Sequence, residues 1–72
     1  MLLSELAKGA TARVIRVSGT DDVSLRLMEM GLTPGIAIAY CGAAPLGDPL
    51  EFELRGYRLS LRKQEAARVE VE

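Results

Sequence analysis

The sequence predicts a mainly β domain, a small, partly open barrel of about five strands with one short α-helix between strands 1 and 2. Three observations carry this. Glycine and proline cut the 72 residues into short pieces. Residues 50–62 alternate apolar and polar with the two-residue period of a strand. Only Asp21 to Met30 shows sustained helical spacing between capping signals.

The elements follow in chain order. Leu3-Ser4-Glu5-Leu6 reads as a helical turn with Ser4 as N-cap and Gly9 as its stop. Ala10 to Ser18 is rich in Ala12, Val14, Ile15 and Val17 and forms the first strand. Val14 and Ile15 are adjacent apolar residues, so a bulge is expected there. Asp21 or Thr20 caps the helix, and Gly31 stands where a left-handed C′ residue belongs. At about 100° per residue, Val23, Leu27 and Met30 share one arc and face the core. Leu25 and Met28 fall on a different side and are left without a core assignment.

Thr33-Pro34-Gly35 is a turn, and Ile36, Ile38 and Tyr40 alternate along a second strand whose outer face is Ala37, Ala39 and Cys41. The loop Ala44-Pro45-Leu46-Gly47-Asp48-Pro49 precedes the clearest local signal. Folding residues 50–61 about Arg55-Gly56 pairs Leu54 with Tyr57, Phe52 with Leu59 and Leu50 with Leu61 on one face. Glu53 then lies opposite Arg58, and Gly56 supplies the positive φ of a tight hairpin. Lys63 to Ala67 makes a helical turn, and Arg68 to Glu72 closes with Val69 and Val71 inward. This element set at this length points to an SH3-like barrel as one domain over residues 1–72, with an OB-like barrel as the alternative.

Composition narrows the function. Nine Lys and Arg against ten Asp and Glu give a net charge of −1, which disfavours nucleic acid as a partner. The chain has no histidine and one cysteine, Cys41, so neither an internal disulfide nor a Ser–His or Cys–His nucleophile is available. No apolar run approaches the roughly 18 residues that span a bilayer, and the N-terminus lacks a basic signal-peptide region. A cytoplasmic, non-enzymatic binding protein is expected.

Each chemical motif has a plainer reading. Cys41 lacks the companion ligands of a stable metal site and fits a small structural residue. No metal ligand and no cofactor-binding residue is assigned, and any metal site would be weak, carboxylate-rich or shared between molecules. Glu51 and Glu53 follow ordinary outward alternation rather than forming a catalytic pair. Met30 packs inward; Met28 divides between partial burial and partner contact. Leu46 rides a proline-bracketed loop, which is either a simple turn or a preorganised recognition tip. The candidate partner-binding residues are therefore Leu25, Arg26, Met28, Pro45 and Leu46, with Arg26 as a bidentate donor beside the apolar pair.

The segments Leu27-Met28-Glu29-Met30-Gly31-Leu32-Thr33-Pro34-Gly35, Ala44 to Pro49 and Arg55 to Arg62 closely resemble, in order and spacing, the FeoA family of small accessory proteins of bacterial ferrous-iron transport. The resemblance implies an SH3-like barrel and a partner, the cytosolic GTPase region of the membrane transporter FeoB, and it brings in the family's association with transition metal ions. The domain is also similar to the C-terminal module of iron-dependent repressors. A regulatory or peptide-binding role of that kind is the alternative. A peptide groove of SH3 type needs exposed aromatics, whereas Phe52, Tyr40 and Tyr57 are all expected inward and Trp is absent. Weak self-association stays open. The apolar outer face of Ala37, Ala39 and Cys41 departs from the charged residues that family members often carry there.

Overall fold

Five strands hydrogen-bond into one antiparallel sheet in a computed structural model describing all residues from Met1 to Glu72. They are β1 (Thr11–Val17), β2 (Ala37–Ala43), β3 (Leu50–Leu54), β4 (Tyr57–Leu61) and β5 (Val69–Val71), in spatial order β4-β3-β2-β1-β5. A short helix, α1 (Asp22–Glu29), links β1 to β2, and a single turn of helix, α2 (Lys63–Ala66), links β4 to β5.

The sheet curls because β1 serves two partners. Thr11 to Arg13 pair with β2, whereas Val14 to Val17 pair with β5. Between them Ile15 is the extra residue of a bulge, where the adjacent Val14 and Ile15 predicted one. A second bulge was not foreseen. Tyr40 pairs with Phe52 and Gly42 with Glu51, so Cys41 is the unpaired residue between them. Cys41 is half-buried at this bulge.

The predicted hairpin register holds in full: Leu50 with Leu61, Phe52 with Leu59, Leu54 with Tyr57, and Glu53 with Arg58. Leu50, Phe52, Leu54, Leu59 and Leu61 all enter the core, alongside Leu3, Val14, Leu27, Leu32, Ile38, Val69 and Val71. Apolar alternation therefore selects one face, and burial of that face fixes the register, since a one-residue slip would turn every leucine to water.

Tyr57 departs from its expected inward position. It is 44% exposed, and its hydroxyl donates to the Met30 carbonyl at 2.5 Å. The phenol reaches past the end of the core to satisfy a carbonyl that the end of α1 leaves without a helical partner. The first turn also differs, because its cap is Leu2 rather than Ser4 and its stop is not Gly9. The Glu5 carboxylate reaches back to the Leu2 N–H at 2.8 Å, and the 3₁₀ turn ends at Glu5 with Leu6 already extended.

Candidate docking surface

Helix α1 presents most of the predicted contact residues, and its start is fixed by Asp21. The Asp21 carboxylate accepts from the Ser24 N–H at 3.2 Å, and the Ser24 hydroxyl donates back to the Asp21 carbonyl at 2.8 Å. Arg68, just ahead of β5, donates to both Asp21 oxygens at 2.6 and 2.8 Å. The Arg68 hydrogen bond first, then the helix N–H, hold the Asp21 carboxyl down at about 2, against an ordinary value of 3.8. The same hydrogen bond pushes the Arg68 guanidinium upward.

The inward face of α1 is narrower than the predicted arc. Leu27 and Ser24 are buried, while Val23 and Met30 pack only partly against the core. Ser24 was missed because hydroxyl residues usually signal a surface or a cap. Here its Oγ is satisfied inside its own helical turn, which removes the cost of burial. Leu32 was missed too: it follows Gly31, outside any periodic run, yet is fully buried.

Leu25 and Met28 stand three residues apart on the outer face, 54% and 38% exposed. Arg26 turns toward α2, where its Nη2 meets Glu65 Oε2 at 2.8 Å. The other Glu65 oxygen accepts the Arg62 N–H at 2.8 Å, so this carboxylate both caps α2 and holds α1. Between the two helices lies an open polar groove of about 320 Å³ lined by Val23, Arg26, Gln64, Glu65 and Arg68. Glu65 and Arg68 carried no sequence signal for these roles, because their partners lie 39 and 47 residues away.

The second candidate region is the loop between β2 and β3. Ala44 N–H donates to the Pro49 carbonyl at 2.9 Å, and Gly47 N–H to the Ala44 carbonyl at 2.8 Å, which pins its base. Asp48 accepts the Lys63 N–H at 2.8 Å and fastens the loop to α2. Pro45 is exposed and Leu46 is 98% exposed, so Leu46 packs against none of the other candidate residues. The structure thus joins Leu25, Arg26 and Met28 on one helix and holds Pro45 and Leu46 on a separate, anchored tip. No group of three or more His, Cys, Asp or Glu side chains converges as a ligand set. No helix is long and apolar enough to cross a membrane.

This architecture belongs to the small β-barrels of SH3 type. Over the whole chain it matches a zinc-complexed prokaryotic SH3-domain protein, the FeoA of Stenotrophomonas maltophilia, with a TM-score of 0.87, 34% identity and 89% of that chain covered. The FeoA domain family model matches residues 1–72, and the chain belongs to the FeoA family. The iron(II) transport protein A of Clostridium thermocellum is similar at 39% identity and a TM-score of 0.92, over 100% of this chain and 44% of that one. A fusion of Fe(2+) transport protein A with the Fe(2+) transporter FeoB in Porphyromonas gingivalis is 42% identical over 72 residues. That match covers all of this chain and 8% of the fusion's length. A manganese-dependent transcriptional repressor, at 16% identity, a TM-score of 0.89 and 35% of its chain covered, shares the fold alone.

Proposed function

We propose that this chain is a cytoplasmic, non-enzymatic accessory of ferrous-iron uptake that acts as one domain and docks on the cytosolic GTPase region of a FeoB transporter. The observation that carries this reading is the Porphyromonas gingivalis fusion, in which a segment 42% identical to this chain is joined covalently to FeoB. Fusion makes an encounter permanent, and selection for that is easiest to understand where the separate chains already meet. The surface that supports docking is the outer face of α1. Leu25 and Met28 expose apolar surface there, and Arg26, on the α2 side of the helix, is held by Glu65, so little of its side-chain entropy remains to be lost on binding. Pro45 and Leu46 form a second contact on their anchored loop.

The test is binding of the purified chain to the isolated GTPase region. Leu25→Asp and Met28→Asp each abolish binding, with circular dichroism and the melting curve nearly unchanged. Leu46→Asp weakens it less. Folded variants that bind at wild-type affinity would overturn the assignment of α1 as the docking face.

A further inference from the structure

The sheet has two outer strands, and only one of them is closed. Along β5, Leu2 bridges to Glu70, the Val71 N–H donates to the Met1 carbonyl at 2.8 Å, and the Met1 ammonium donates to the Val71 carbonyl at 3.1 Å. Nothing comparable covers β4. Arg55 and Gly56 both have positive φ, 51° and 81°, as a type I′ turn requires. In such a turn the flanking residues, Leu54 and Tyr57, exchange hydrogen bonds. By alternation, Phe52–Leu59 and Leu50–Leu61 are then the bonded pairs. The N–H and C=O groups of Arg58 and Ser60 therefore point away from β3, and no other group in the protein takes them.

Charge on the edge strand itself is one-sided, although Glu51 of β3 accepts from the Ser60 hydroxyl at 2.6 Å. From Arg55 to Lys63 the chain carries Arg55, Arg58, Arg62 and Lys63 and no acidic residue. All four cations are exposed, and none belongs to an ion pair; Glu53 faces Arg58 in register without forming one. Elsewhere Arg16, Arg26 and Arg68 are each paired with a carboxylate. A cationic edge discourages pairing with a copy of itself, since two β4 strands would set Arg58 and Arg62 against their own kind. The same cations favour a strand that brings carboxylates, which guanidinium groups bind in a fork.

We infer that the free edge of β4 is a docking strand for an extended, acidic segment of a protein partner. The segment adds to the sheet through the backbone of Arg58 and Ser60 and sets its carboxylates against Arg55, Arg58 and Arg62. This edge meets α1 through the Tyr57–Met30 hydrogen bond and lies apart from Leu25, so Leu25→Asp leaves it intact.

The probe is a short synthetic peptide alternating glutamate and valine, titrated into ¹⁵N-labelled protein. Saturable shifts are expected at the amides of Arg58 and Ser60, with slowed hydrogen exchange at both. A peptide with its alternate backbone nitrogens methylated, and one with lysine for glutamate, should lose the effect. Arg58→Glu together with Arg62→Glu should weaken binding by about tenfold or more, the scale of reversing two exposed ion pairs. The absence of saturable shifts at these amides overturns the inference. So does equal binding of the methylated peptide, which would leave charge attraction alone, or tighter binding of single-stranded oligothymidylate at the same amides.

Discussion

The β3–β4 hairpin and helix α1 spend their apolar residues in opposite ways. In the hairpin, five large apolar side chains, Leu50, Phe52, Leu54, Leu59 and Leu61, are buried. On α1 Leu27 is buried, whereas Leu25 and Met28 face water. The hairpin is held by burial and has little left to offer from its inner face. The helix is held by buried Leu27 and Ser24, by the Arg26–Glu65 pair and from its ends by Asp21 with Arg68 and by the Tyr57–Met30 contact, and it leaves Leu25 and Met28 exposed. Burial thus dominates one element and exposure marks the other, and substitutions should separate stability from the proposed docking role of α1.

The largest effect is expected on the hairpin side. Phe52 is fully buried with its ring 5.3 Å from that of Tyr40, so Phe52→Ala should cost about 3–5 kcal/mol. Chemical denaturation measures this, and a loss no larger than for Ser60→Ala would mean that the hairpin does not anchor the core.

The two glycines at the ends of these regions sharpen the contrast. Gly31 has φ +108°, and a Cβ there would lie 2.7 Å from the Tyr57 hydroxyl and 3.5 Å from a Leu54 methyl. Gly56 has φ +81° but open space around it. Gly31→Val should therefore lose roughly 2–4 kcal/mol, from left-handed strain and overpacking together. Gly56→Val should lose only the strain, about 1–2 kcal/mol. Equal unfolding midpoints would show that Tyr57 does not hold the end of α1.

A smaller effect follows from acid. The Asp21 carboxyl is depressed to about 2 in the folded chain, so its contribution is complete above its ordinary value of 3.8 and is lost as pH falls toward 2. Asp21→Asn keeps a capping side chain but not the charge. The difference in melting temperature between wild type and variant should shrink steadily over that interval, and a constant difference would remove the Asp21–Arg68 pair from the stability of α1. Smallest of all, Leu25→Asp should change stability by no more than about 0.5 kcal/mol, since more than half of that residue faces water. A larger loss, read from the same denaturation curves, would place Leu25 in the core and withdraw it from the docking face.

Sequence reasoning succeeded where one local pattern decides the outcome. Strict alternation and Gly56 set the hairpin, including each cross-strand pair, and helical phase separated Leu27 from Leu25 and Met28. It failed where distant groups decide. Tyr57 satisfies the alternation but is drawn out by a carbonyl 27 residues away. Cys41 follows the strand pattern, yet the partner strand has one residue fewer there. In the candidate surface, the exposure of Leu25, Met28 and Leu46 was legible. The fastening of Arg26 by Glu65 was not, because an ion pair between separate elements leaves no periodic trace.

The two arginine–carboxylate links of α1 have a consequence of their own. Arg26–Glu65 and Arg68–Asp21 are partly exposed pairs, and dissolved ions weaken such pairs within a screening length of about 10 Å at 0.1 M ionic strength. Burial of the hairpin leucines has no such sensitivity, and many salts strengthen it. Added salt should therefore weaken these two side-chain links while leaving the burial of Leu27 and of the sheet intact, so the proposed docking face should respond to the ionic medium more than the fold does.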